Sequence, residues 1–188
     1  MIQLMHSFRG TTLPEAVREA VRRGEIAAFC LFNFNVVSPA QLRELTLALY
    51  AAAAEGGLPP PIIGMDQEGG QLIAVSEGTT ELPGNMALGA TRSPELAEQA
   101  GRVLGRELLA MGVNMNFAPS LDINNNPANP AIGIRSFGDD PNLVSVLGRA
   151  LIRGIQAEGV IATAKHFPGM GDIESDSHFA LPVVPHSL

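Results

Sequence analysis

Helix punctuation recurs along the chain, and an apolar run follows each stop. Thr12-Leu13-Pro14-Glu15 has the spacing of a capping box, and the helix it opens should end at Gly24. The apolar stretch from Ile26 to Phe32 comes next. Ser38 and Pro39 start a second helix through Leu42, Leu45, Leu49 and an alanine run, closed at Gly56-Gly57. Pro61 to Met65 then reads as a strand. Ser93-Pro94 begins a third helix, with Leu96, Ala97, Ala100, Val103, Leu104 and Leu108 at helical spacing. Gly112 stops it before the strand-like Val113 to Pro119. Asp140-Pro141 opens a fourth helix that reaches Gly159 before Val160 to Lys165. A first strand is expected at Gln3 to Phe8 and a sixth at Leu181 to Val184.

Short apolar runs alternating with helices are the pattern of βα units around a buried parallel sheet. A doubly wound open sheet and a closed (β/α)8 barrel both fit it. Polar residues gather just past successive runs: Asp66 with Gln67 and Glu68, then Asn114, Asn116 and Asp122, then Lys165 and His166. Barrel enzymes collect their chemistry at that rim, so a TIM-type α/β barrel is the expectation. A complete barrel takes about 250 residues. With five to six units countable in 188 residues, either the fold is an unusual open one or 1–188 is the front portion of a longer barrel domain.

Composition narrows the class. An apolar share of 46% with interspersed charge excludes a disordered chain. A net charge of -7 without a basic cluster argues against a nucleic-acid partner. No apolar run is long enough to span a bilayer, and Met1 to Gly10 lacks the basic-then-apolar order of a secretory signal. A soluble, cytoplasmic chain is therefore expected. Cys30 has no second cysteine to pair with and is expected as a packed core thiol. Gly69-Gly70 and Gly169-x-Gly171 match neither phosphate-binding fingerprint. Eleven of the twelve cations are arginine; the exception, Lys165, marks a place that prefers a compact ammonium to a planar fork.

Three segments carry the candidate chemistry. In the first, Lys165-His166 ends a strand, Pro168, Gly169 and Gly171 force a turn, and Asp176 and His178 follow two apart. In extended backbone both would point to one side, and a carboxylate beside an imidazole fixes its tautomer and suits it to proton transfer. The competing reading is a local turn in which Asp176 caps backbone and His178 faces solvent. In the second, Asp66 precedes Glu68 and Gly69-Gly70; Asp66 reads as an acceptor of sugar hydroxyls, Glu68 as one half of a buried ion pair. The third runs from Ser120 to Asp140, rich in Asn and Pro, and such long stretches are usually functional or disordered. Its Arg135 reads as reaching into the site, with a surface salt bridge as competitor.

Asp66-Gln67-Glu68-Gly69-Gly70, Arg135-Ser136-Phe137-Gly138 and Lys165-His166-Phe167-Pro168-Gly169 through Asp176-Ser177-His178, in this order, resemble the N-terminal barrel of glycoside hydrolase family 3. The Asp-Ser-His loop is similar to that of its β-N-acetylglucosaminidase branch. The resemblance implies a (β/α)8 barrel and retaining hydrolysis of terminal β-linked N-acetylglucosamine, as in recycling of cell-wall fragments, without metal or organic cofactor. It implies that Asp66, Arg135, Lys165 and His166 hold the sugar, and that His178 assisted by Asp176 is the general acid/base. Retaining hydrolysis also takes a carboxylate nucleophile. In the family that aspartate lies on a later strand, and neither Asp122 nor Asp139 is assigned its role here. Gln71 and Ala74 stand where relatives often carry arginine, and Met170 where His is common, so substrate preference is less defined than reaction type.

Two alternatives are kept: a non-catalytic sugar-binding or vestigial module, and a β-glucosidase of the same family. As bare residues 1–188 the chain is expected to show no normal turnover, and an open barrel edge is expected to favour self-association.

Overall fold

The computed structural model describes residues 4–184. Its centre is a four-stranded parallel sheet formed by β1 (Ala28–Cys30), β2 (Ile62–Met65), β5 (Met115–Asn116) and β6 (Ile161–Ala162), in that spatial order. Each strand lies beside its predecessor in chain order, with no reversal. A doubly wound sheet reverses at a switch point; unreversed progression is how a barrel wall is laid down, and this decides between the two architectures expected.

Helices α1 (Glu15–Arg22), α2 (Pro39–Glu55), α4 (Pro94–Ala110) and α5 (Pro141–Ala157) connect or flank these strands. Ser38, Ser93 and Asp140 cap the last three as their sequence positions imply, each side chain accepting a backbone N–H of the first turn. The first helix differs. Pro14, not Thr12, is its N-cap, and no side chain caps it. Helices α4 and α5 cross so closely that a Cβ on Gly101 would lie 2.2 Å from the Leu151 carbonyl oxygen, and one on Gly154 would lie 2.1 Å from that of Glu98. Phe29, Ile63 and Met65 from the strands pack with Leu42, Leu49, Leu108, Leu147 and Leu151 from the helices in one core.

The predicted first strand is reduced to one parallel bridge between His6 and Phe29, where Cys30 N–H donates to the His6 carbonyl at 2.8 Å; Gln3 lies outside the described residues. The predicted sixth strand is not formed. Leu181 and Val183 are exposed, and residues 181–184 join no ladder. Two elements go beyond the periodicity reading: the antiparallel hairpin of β3 (Gln67–Gly69) and β4 (Leu72–Ile73), and α3 (Asn85–Thr91). Cys30 is half-buried rather than enclosed; burial, then the nearby Asp66 carboxylate, push its thiol up to about 11. Among the described residues no helix is long and apolar enough to cross a membrane.

Candidate active site

Asp66 follows β2, Asp122 follows β5, and Lys165 and His166 follow β6, so all four sit past the C-terminal ends of parallel strands. Parallel strands present those ends on one rim, which is where barrel enzymes place their chemistry. The hairpin adds Glu68, and a 3-10 turn over Gly133–Arg135 adds Arg135.

Glu68 is the hub. Its two oxygens take Arg135 Nε at 3.0 Å and Nη2 at 2.8 Å, a bidentate pair. Lys165 Nζ lies 2.5 Å from Glu68 Oε1 and 2.5 Å from Asp66 Oδ1. Burial by itself raises the Glu68 carboxyl, but Arg135 and Lys165 outweigh it and hold the group below the ordinary glutamate range. The same ion pairing raises Arg135 against the downward pull of its burial. The Glu68 side chain is 2% exposed and that of Asp66 34%, so Asp66 is the carboxylate of this cluster that a ligand can reach. Glu68 is thus the buried ion-pair partner that its position predicts, and Arg135 is paired inside the site rather than at the surface.

His166 sits at the other flank. Its Nδ1 lies 2.6 Å from Asp122 Oδ2, and its Nε2 lies 3.4 Å from Arg135 Nη2. Asp122 also accepts the Ser120 hydroxyl at 2.9 Å and the Met170 N–H at 2.6 Å. Burial pushes its carboxyl up, and these three donors prevail and hold it below the ordinary aspartate range. A cavity of about 200 Å³ opens against Asp122, Lys165 and His166. Another of about 180 Å³ opens against Asp66, between Phe32 and Ala74. Ala74 lines this second cavity, whereas Gln71 is exposed.

The scaffold behind these groups is polar and satisfied. Asn116 accepts the Gln67 N–H and donates to its carbonyl, fixing the chain just after Asp66, while Asn114 bonds the backbone of Ile63 and Pro61. Both asparagines singled out at the rim therefore close on backbone. Gln67 ties Ala74 and Val75 into the hairpin turn. The stretch from Ser120 to Asp140 is held: Asn85 donates to the Arg135 carbonyl, and Ser136 donates to that of Asp122. The Lys165–His166 peptide is cis.

Asp176 and His178 are paired, His178 Nδ1 lying 2.7 Å from Asp176 Oδ1, which also accepts the His178 N–H at 2.9 Å. The segment is a turn, not extended: the Asp176 carbonyl accepts the N–H groups of Phe179 and Ala180. The pair meets through that turn. The His178 side chain is 79% exposed. The His178 N–H and ring hold the Asp176 carboxyl below its ordinary range, and the Arg135 charge adds to this. Among the described residues no hydrogen bond joins His178 to Asp66 or Lys165.

Asp122 and Ser120 were not read from the sequence as site residues, although Asp122 stands at the rim. The signal available was its position past an apolar run; its partners His166 and Met170 lie 44 and 48 positions away. Among the described residues no group of three or more His, Cys, Asp or Glu side chains is placed to hold a metal ion.

Residues 2–188 match the model of the glycosyl hydrolase family 3 N terminal domain. A beta-hexosaminidase A of Pseudoalteromonas piscicida is 42% identical over 181 residues, covering 94% of this chain and 30% of the relative. A family 3 beta-N-acetylglucosaminidase structure from Paenibacillus sp. str. FPU-7 superimposes with a TM-score of 0.93 at 48% identity, over 97% of this chain and 35% of that one. NagZ from Neisseria gonorrhoeae, in complex with N-trifluoroacetyl-D-glucosamine, gives a TM-score of 0.88 at 34% identity, over 98% and 55%. The chain spans between 30% and 55% of the length of these relatives.

Proposed function

The chain belongs to glycosyl hydrolase family 3, and from that premise we propose that the whole protein removes terminal β-linked N-acetylglucosamine with retention of configuration. The observation that carries this reading is the charge cluster at the rim: Asp66, reachable by a ligand, backed by Lys165, Glu68 and Arg135 and flanked by His166. Vicinal hydroxyls both donate and accept. Asp66 accepts, Lys165 and Arg135 donate, and a saccharide ring is the ligand class whose edge answers that alternation. The relatives' names support N-acetylglucosamine as the sugar, and cell-wall fragments are its proposed source.

His178 with Asp176 is the proposed general acid/base. The pair is preformed at 2.7 Å, and the carboxylate holds the ring by its Nδ1, leaving Nε2 free to pass a proton to the departing glycosidic oxygen. In this reading the turn at residues 176–180 brings the ring from solvent over the sugar. A nucleophilic carboxylate is assigned to none of the described residues. Asp122 is enclosed with three donors on its oxygens, and Asp139 is exposed outside the cluster. The site lies in a chain whose single cysteine suits a reducing compartment, and a cytoplasmic location is part of the proposal. The outer strand β6, with Ile161 exposed, supports self-association of the 188-residue chain, which light scattering across a concentration series checks.

The test is complementation. The chain is joined to the segment that follows the matching region in the Paenibacillus relative and assayed with aryl N-acetylglucosaminide and aryl glucoside. The proposal expects hydrolysis of the first over the second, loss in Asp66→Ala, and no normal turnover by residues 1–188 alone. Activity that survives Asp66→Ala overturns the site; preference for the glucoside overturns the sugar. Binding of N-acetylglucosamine by the unjoined chain, with no hydrolysis by the joined one, would instead mark a sugar-binding module.

A further inference from the structure

We propose that Asp122 is a positioning residue: one oxygen holds His166 as its Nδ1–H tautomer, so that the Nε2 lone pair faces the pocket, and the other pins the base of the loop that carries Asp176 and His178. The inference rests on the reading of His166 as a sugar-holding residue.

Of the two neutral tautomers the geometry favours one. Asp122 is fully enclosed, and an ionised carboxylate only accepts, so the His166 Nδ1 at 2.6 Å must donate to it. On the opposite side of the ring Nε2 faces Arg135 Nη2 at 3.4 Å, and a guanidinium only donates. The other tautomer would set a lone pair against the carboxylate and an N–H against the guanidinium, unfavourable at both ends. His166 therefore presents an acceptor beside the Lys165 donor. A sugar hydroxyl that donates to Nε2 replaces the long Arg135 contact on the same lone pair and can accept from Nζ, and a deoxy or O-methyl position loses that bond. Ser120 occupies a further lone pair of the same Asp122 oxygen.

The second oxygen, Oδ1, accepts the Met170 N–H at 2.6 Å, and Asn129 donates to the Met170 carbonyl at 2.6 Å. Gly171 then passes so close to the chain that a Cβ there would lie 1.7 Å from the Ile123 carbonyl oxygen. The loop to His178 thus starts from a fixed point, and that point and the sugar-holding imidazole share one carboxylate.

Long-range proton–nitrogen correlation on the 188-residue chain, with the ring assigned by His166→Gln, reads the tautomer directly. The expected spectrum has a protonated-type Nδ1 and a lone-pair-type Nε2. A ring protonated at Nε2, or averaged between tautomers, overturns the proposal without any Asp122 variant. In Asp122→Asn the ring signals should average or invert and the Met170 amide should shift, whereas Ser120→Ala, which keeps the carboxylate, should leave both in place. An unchanged ring in a folded Asp122→Asn overturns the proposal; if that variant does not fold, the parent and Ser120→Ala spectra decide. In the joined enzyme, Asp122→Asn should raise KM at least tenfold, and Asp122→Glu should recover part of it. A tautomer as stated, with no response of the His166 signals to N-acetylglucosamine in the joined enzyme, would sink the sugar-holding reading and leave the positioning role standing.

Discussion

Among the described residues, two imidazole–carboxylate pairs stand with nearly the same bond and opposite surroundings. His166 and Asp122 meet at 2.6 Å with side chains 28% and 0% exposed; His178 and Asp176 meet at 2.7 Å with 79% and 23%. The first pair is built by residues 44 positions apart on separate strand ends, and the second by a two-residue turn. An enclosed pair cannot exchange partners without leaving buried polar groups unmet, so it is suited to holding a ligand group in one orientation. An exposed pair gives up little when it moves, and water can restore its proton. The proposed roles, positioning for the first pair and proton transfer for the second, would each have the setting that it needs.

The largest expected effect lies on the enclosed side. Glu68→Gln strands Arg135 and Lys165 with a neutral partner, and removing one member of a buried ion pair costs about 3–5 kcal/mol. Urea unfolding should show that loss; a midpoint unmoved by the change would mean that the cluster is solvated. Asp122→Ala comes next. It leaves the Ser120 hydroxyl and the Met170 and His166 N–H groups without their acceptor, at on the order of 3 kcal/mol. Asp176→Ala should leave the unfolding midpoint where it is, and equal losses from the two aspartates would erase the contrast between the pairs.

Acid separates the pairs more finely. Glu68 and Asp122 are held below their ordinary values of 4.5 and 3.8, so their unfolded forms take up protons first as pH falls. Their contribution is complete above about 4.5 and is lost as pH drops through that value towards their folded-state values. Melting temperatures recorded from neutral pH downward should fall along that limb. Glu68→Gln should flatten it, and Asp176→Asn should flatten it less, because Asp176 is also held below its ordinary value but is screened by solvent.

How much of this was legible in the sequence follows the range of the interactions. Caps at Ser38, Ser93 and Asp140 are local, and the structure uses all three. The strands past Ile26, Pro61, Val113 and Val160 were legible because each is an apolar run between stops. The hairpin was not: Gln67-Glu68-Gly69 has no apolar alternation, and what folds it is the Gln67 side chain bonding backbone seven and eight residues on. Thr12 shows the converse, a capping pattern with nothing to cap because Pro14 already starts the turn. Among the candidate site residues, Asp66, Lys165 and His166 are marked by residue type past strand ends, and Arg135 by its place in the long stretch from Ser120 to Asp140. That Glu68 joins two cations, and that Asp122 answers His166, depends on the sheet bringing residues 67 and 44 positions apart together.

The smallest structural change carries the most direct test. His178→Gln should leave folding untouched, yet in the joined enzyme it should lower kcat/KM by about 10²–10⁴-fold for an N-acetylglucosaminide whose leaving oxygen needs a proton. With a dinitrophenyl leaving group, which departs unprotonated, the same change should cost far less. Equal losses with both leaving groups, or no loss with either, would contradict a proton passed by this exposed imidazole.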